Sequence, residues 1–168
     1  MDIPVYQYDM LDSTNTQCRR LAAEGVMDAV VTADCQTAGR GRMGRSFQSP
    51  PGLGLYLSVL WRTGLRTDTL PMVTPLAAVA VCRAVERVCG LRCGIKWPND
   101  LVLGGRKVCG ILTEAGADIE SGQLEWLVVG IGLNLLLFAG KLFAGAVSGS
   151  VAITADAFNN LSDAGSSV

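Results

Sequence analysis

The chain changes its chemistry near Asn134. Of its 14 Lys+Arg and 15 Asp+Glu, only Lys141, Asp156 and Asp163 come later, and all 6 cysteines and 6 prolines come earlier. From Leu127 to Ala155 the only polar side chains are Asn134, Lys141, Ser148, Ser150 and Thr154. A run of about 20 mostly apolar residues is long enough to cross a bilayer as a helix. The two sides of Asn134 therefore suit different solvents. Residues 1–134 read as a globular domain. Residues 135–168 read as an apolar helical tail, with membrane contact expected through residues 127–168.

The globular part is nearly neutral, which argues against a nucleic-acid binder whose affinity comes from excess cation. There is no histidine anywhere. Ser-His-Asp and Cys-His catalysis and histidine zinc sites are excluded outright. The cysteines (Cys18, Cys35, Cys82, Cys89, Cys93, Cys109) form no C-x-x-C pair and read as small buried apolar residues in a reducing compartment. The start, MDIPVYQYDM, lacks the basic and apolar regions of a secretory signal. A cytoplasmic protein is expected.

Before the break, short β-like runs alternate with two helical patterns. The strands expected are Val5–Tyr8, Ala29–Ala33, Leu55–Trp61, Asp100–Leu103, Lys107–Glu114 and Leu124–Leu133. A first helix should open at Asp12 or Ser13 and place Cys18, Leu21 and Ala22 on one face. A second should run from Leu70 to Cys89, with Pro71 and Pro75 in its opening turns and Gly90 at its end. Gly104-Gly105 signals a tight hairpin. The class is α+β or mixed α/β.

From Cys35 to Thr67 there is no carboxylate, yet Arg40, Arg42, Arg45, Arg62 and Arg66 all fall there. Three of them sit in TAGRGRMGRSFQSPPG, a Gly-rich loop between two strand candidates. Glycines let backbone N–H groups approach a ligand, and arginines bind phosphate or carboxylate bidentately. Such a loop suits an anion. Lysine is scarce in the same part: Lys96 and Lys107 are the only two before the break. Each reads equally as a solvated charge at a strand edge or as a cation holding a carboxylate or phosphate beside Asn99 and Asp100.

DSTN, QTAGRGRMGRSFQSPPGLGLYLSV, KWPNDLVL, RKVCGILTE and VVGIGLN stand in this chain in the order and spacing of the catalytic domain of biotin protein ligases. The resemblance covers residues 5–134 and implies an α+β fold, a mixed sheet with helices on one side, shared with lipoate ligases. It implies a two-step reaction with ATP, biotin and Mg²⁺. Biotin carboxylate attacks the α-phosphate to give biotinyl-5′-adenylate, and a lysine of the acceptor, the biotin carboxyl carrier protein, then takes the biotin. By the same resemblance, Ser13, Thr14, Asn15 and Gln36 contact biotin, and Gly39, Arg40, Gly41 and Arg42 close over biotin and the adenylate phosphate. Lys107 and Arg42 carry the catalysis, Lys107 by holding the biotin carboxylate and then the acyl phosphate. Lys96, Asn99, Asp100 and Asn134 join Arg40 and Arg42 on the nucleotide side. No metal ligand is expected in the ligase part. The family's arginine loop is mobile until ligand binds.

Two departures from the ligase pattern qualify that expectation. The chain opens just before DSTN, without the winged helix that makes many of these ligases repressors, so no nucleic-acid binding is expected. The family also continues past the Gly-x-Gly-x-Asn motif into a small β-barrel, where this chain turns apolar, so the ligase is expected to be truncated. Residues 135–168 instead resemble the first transmembrane helix and most of the second in cation diffusion facilitator transporters, with Asn159 and Asp163 where that family's metal motif lies. The two resemblances meet in GIGLNLLLF, as in a fused or truncated reading frame. The alternatives to a truncated ligase are a non-functional fusion, a membrane-tethered transporter remnant and, within the same fold, a lipoate ligase.

Overall fold

The computed structural model describes residues 3–62, 64–118 and 120–134. The elements are β1 (Val5–Leu11), α1 (Thr14–Ala23), β2 (Asp28–Gln36), β3 (Gly54–Trp61), α2 (Leu70–Cys89), β4 (Gly94–Lys96), β5 (Asp100–Leu103), β6 (Arg106–Asp118) and β7 (Gln123–Asn134), with one-turn 3₁₀ segments at Arg42–Gly44 and Thr67–Thr69. They build a seven-stranded sheet in the order β1-β2-β3-β7-β6-β5-β4. β1 and β2 run parallel and every other neighbour pair is antiparallel. The sheet is mixed, as the sequence led us to expect.

Local chemistry explains most boundaries. Ser13 holds the extended N-cap position of α1, but its hydroxyl does not cap the helix; the Asp12 carboxylate instead accepts the Ser13 N–H at 2.7 Å. α1 buries Thr14, Asn15, Cys18, Leu21 and Ala22, a helical stripe. α2 runs from Leu70 to Cys89 with Pro71 in its first turn, and the Gly90 N–H bonds the Glu86 carbonyl. Gly104 and Gly105 both have positive φ, 55° and 76°, which a tight turn between β5 and β6 requires and a glycine pair supplies at little cost. β4 escaped the sequence reading because three exposed residues, Gly94–Lys96, carry no periodicity.

The helices do not lie on one side of the sheet, and that expectation is corrected here. Residues paired across a ladder share a face, and alternate residues point oppositely. α1 packs Cys18, Leu21 and Ala22 against Ala29, Val31, Leu60 and Val128. α2 packs Ala78 against Leu101, Val108, Cys109 and Ile111, flanked by Val129, Ile131 and Leu133. Val128 and Val129 are adjacent in β7, so the two helices take opposite faces. Thr74 of α2 bonds Thr113 of β6 at 2.8 Å on the second face, while Asn15 of α1 reaches Glu114 on the first. β7 sits inside the sheet between β3 and β6 and so serves two cores at once, each fully buried aliphatic contributing about 1.5–3 kcal/mol.

Residues 127–134 are not part of a membrane-facing tail, contrary to expectation. They belong to β7, paired on both sides with β3 and β6, so their apolar character serves the sheet and not a membrane span. Among the described residues no helix is long and apolar enough to cross a membrane. The expected helical tail, with Asn159 and Asp163, lies outside the described residues. The cysteine reading holds in part: all six are free, Cys18 and Cys109 are buried, and Cys89 is exposed at the end of α2.

Candidate active site

On the α1 face the centre of the sheet is bare. Gly110, Gly130 and Gly132 come from adjacent strands, with Gly110 opposite Gly132. A Cβ on Gly130 would run into the Asn15 amide, and one on Gly132 would meet the Phe47 ring. The absent side chains leave a shallow trench in the sheet, and other elements crowd its rim. Ser13, Thr14 and Asn15 border it from the start of α1, Gln36 from the end of β2, Arg40, Gly41, Arg42 and Phe47 from the glycine-rich loop, and Asn99 and Lys107 from the β5–β6 side.

The polar groups at this site form one connected network. The Thr14 N–H donates to Gln36 Oε1 at 2.9 Å, and Gln36 Nε2 donates to the Ser49 hydroxyl at 2.7 Å. The fully buried Ser58 hydroxyl donates to Asn15 Oδ1 at 2.6 Å and lies 2.7 Å from the Thr14 hydroxyl. Asn15 Nδ2 donates to Glu114 Oε2 at 2.8 Å. Among the described residues no buried side-chain polar atom lacks a partner, so every buried member of the network is satisfied.

Each cation near the trench has a specific partner. Lys107 Nζ lies 2.7 Å from Asp100 Oδ1. Arg42 Nη1 donates to Asn99 Oδ1 at 2.9 Å. Arg40 Nη1 lies 3.1 Å from Glu114 Oε1. The stretch without carboxylates is therefore served from another strand. Two of its other three arginines do different work: Arg62 donates to the carbonyls of Val26 and Ala22 around the end of α1, and Arg66 pairs with Asp68.

The loop is folded down. Gly41 N–H bonds Arg45 C=O at 2.7 Å and Phe47 N–H bonds Gly39 C=O at 2.8 Å, which makes a small hairpin over the trench. A Cβ on Gly39 would strike the Phe47 carbonyl, which accounts for the glycine there. The remaining cavity is about 60 Å³, room for a few waters, whereas small-molecule sites run to roughly 300–1,000 Å³. An adjoining cavity of about 310 Å³ is lined by Lys107, Phe47 and Asn134 among others. Phe47 and Lys107 line both cavities.

Of the residues expected at the site, Ser13, Thr14, Asn15, Gln36, Arg40, Gly41, Arg42, Asn99 and Lys107 are brought together. Asp100 joins them through Lys107, Gly39 underlies the loop, and Asn134 lines the second cavity. Lys96 is not brought in: it is exposed on β4, opposite Asp100 in the ladder. Of its two open readings, solvated charge is the one the geometry favours. Sequence reasoning missed Ser49, Ser58, Glu114 and the ring of Phe47. No residue type marked them, although all four lie inside quoted motifs. Cys109 follows Lys107 closely, but burial pushes its thiol up to about 12, with Lys107 opposing; it is no nucleophile at neutral pH.

Residues 8–134 match the biotin/lipoate A/B protein ligase family. Residues 127–168 match the cation efflux transmembrane domain, and the overlap falls in β7. The chain is similar to the bifunctional ligase/repressor BirA of Bacillus subtilis (strain 168), 40% identical over 129 residues, or 76% of this chain and 39% of that protein. It is 42% identical over 140 residues to the biotin--[acetyl-CoA-carboxylase] ligase of Paracoccus denitrificans, covering 81% of this chain and 55% of that protein. Among solved structures, the biotin protein ligase of Leishmania major in complex with biotinyl-5-AMP gives a TM-score of 0.67 at 28% identity, over 80% of this chain and 58% of that one. The chain thus spans 39% and 55% of the length of these two curated relatives. A matched family over most of the chain and a shared fold agree: the chain belongs to the biotin/lipoate A/B protein ligase family.

Proposed function

We propose that this chain activates biotin with ATP and passes it to a lysine of an acceptor carboxylase protein. The observation that supports this most is the convergence of Arg42, Asn99 and Lys107 on one rim of a trench floored by glycines. Biotin lies in the trench between the start of α1 and the loop, within reach of Thr14 and Gln36. Its carboxylate faces Lys107, which exchanges one carboxylate, Asp100, for another. In the first step a biotin carboxylate oxygen bonds the α-phosphorus of ATP and pyrophosphate leaves. In the second, the acceptor amine bonds the biotin carbonyl carbon and AMP leaves with the bridging oxygen.

Both steps build negative charge beside the α-phosphoryl group. Lys107 and Arg42 offset it, as cations fixed beside a developing negative charge do. Mg²⁺ would accompany the nucleotide, because that ion is usually held by phosphates and one or two carboxylates. Although the sequence led to no metal ligand, Asp100, freed as Lys107 takes the biotin carboxylate, is the carboxylate that would hold it. The six free thiols suit the reducing, ATP-containing cytoplasm expected from the sequence.

Binding separates this reading from the lipoate alternative. Biotin well above micromolar concentration should raise the unfolding temperature of the full chain, and lipoate should compete poorly. No shift with biotin would remove the proposal, and stronger competition by lipoate would move it to lipoate ligation.

A further inference from the structure

Glu114 of β6 was assigned no role by the sequence, yet three groups from two other elements converge on its carboxylate. Asn15 Nδ2 donates to it at 2.8 Å. Arg40 Nη1 lies at 3.1 Å and Arg19 Nη1 at 3.6 Å. The Glu114 side chain is 19% exposed, against 44% for that of Arg40, so the carboxylate is the sheltered partner. From Asn15 the contacts run on through Ser58, Thr14, Gln36 and Ser49, and Ser49 donates to the Phe47 carbonyl at 3.3 Å. Arg40 and Phe47 are the two limbs of the glycine-rich loop, joined by the Arg40–Ser46 bridge. The chain of contacts therefore leaves the loop at Arg40 and returns to it at Phe47.

Resting on the functional reading above, we propose that Glu114 is a positioning residue. It clamps the Arg40 limb of the loop to the sheet and leaves Arg42 as the loop's cation for the phosphate. The electrostatics support this division. Arg40 is compensated by a carboxylate, and withdrawing it would leave that mostly sheltered anion with only the Asn15 amide and the more distant Arg19. Arg42 is held by Asn99, a neutral amide, and keeps its full charge for a ligand.

Hydrogen exchange of the ligand-free full chain tests the clamp whether or not the functional reading holds. In Glu114→Gln the amides of Gly41 and Phe47 should exchange about tenfold faster or more, with those of β7 unchanged. Arg40→Ala should do the same, and the double variant should add little, since both remove one contact. Because Arg40 is exposed, its variant reports even if Glu114→Gln fails to fold. Unchanged loop exchange in Arg40→Ala, or equal acceleration in β7, overturns the proposal. Biotinyl-5′-adenylate gives the second reading: Glu114→Gln and Arg40→Ala should weaken its binding to the same degree, mainly through faster release. Failure of the parent to bind it would count against the functional reading, while loop exchange would still decide the clamp.

Discussion

Lys107 meets Asp100 across the β5–β6 hairpin, Nζ to Oδ1, at 2.7 Å. Two residues that the sequence places in separate motifs are thus one unit at the rim of the trench. In the proposed reaction the ligand carboxylate replaces Asp100 on this lysine, and the pair is open enough to water for the exchange to be mild. The chemistry of the proposed reaction turns on this lysine.

Lys107→Ala should remove adenylate formation, at least about a hundredfold in rate, because a charge-assisted contact in the transition state is lost. Folding should change by no more than about 0.5 kcal/mol, as for most surface substitutions. Lys96→Ala is the comparison, since Lys96 lies outside the cavity and should keep the parent rate. Rapid-quench assay of both variants with biotin and ATP checks this. Equal rates for Lys107→Ala and the parent would remove its assigned role.

Gly130→Ala should perturb both fold and site. Its Cβ would press on the Asn15 amide, which is bonded to Ser58, Glu114 and the Leu112 carbonyl. Overpacking of this kind costs about 1–3 kcal/mol. Denaturant midpoints and biotin titration should both fall in the variant. Parent-like values in both would show that the trench floor tolerates a methyl group.

Burial pushes the thiols of Cys18 and Cys109 up to about 12, from an ordinary value of 9.0. Above about pH 9 the unfolded thiols ionise while the folded ones keep their protons. The folded state then binds more protons, so the stability these groups contribute is whole below that pH and is lost as pH rises toward 12. Denaturant midpoints followed from about pH 8 to about pH 10.5 should decline less in Cys18→Ala and Cys109→Ala than in the parent. Parallel declines would contradict the burial account.

Much of this was legible in the sequence because its signals are local. The Leu70–Cys89 helix follows from a proline at its start and a glycine at its end, and the Gly104-Gly105 hairpin from its glycine pair. The α1 segment and Lys107 were found through motifs whose spacing is fixed by the sheet. Pairings between distant strands were not legible. That Glu114 would neutralise Arg40, or that Arg62 would serve the end of α1, depends on the order of strands, which periodicity does not carry. The expectation of helices on one side came from the family resemblance, and the residues of β7 did not correct it: β7 is apolar at successive positions because it is buried on both sides, and such a run hides its alternation.

In the proposed reaction, biotin is joined to AMP in the trench that holds Lys107 and Arg42. Incubating the full chain with ATP labelled at the α-phosphate, Mg²⁺ and biotin, then separating the nucleotides, measures this directly. Labelled biotinyl-5′-adenylate that requires biotin and disappears in Lys107→Ala is the expected result. Biotin that binds the chain with no labelled adenylate formed, or adenylate formed equally by the Lys107→Ala variant, would contradict it.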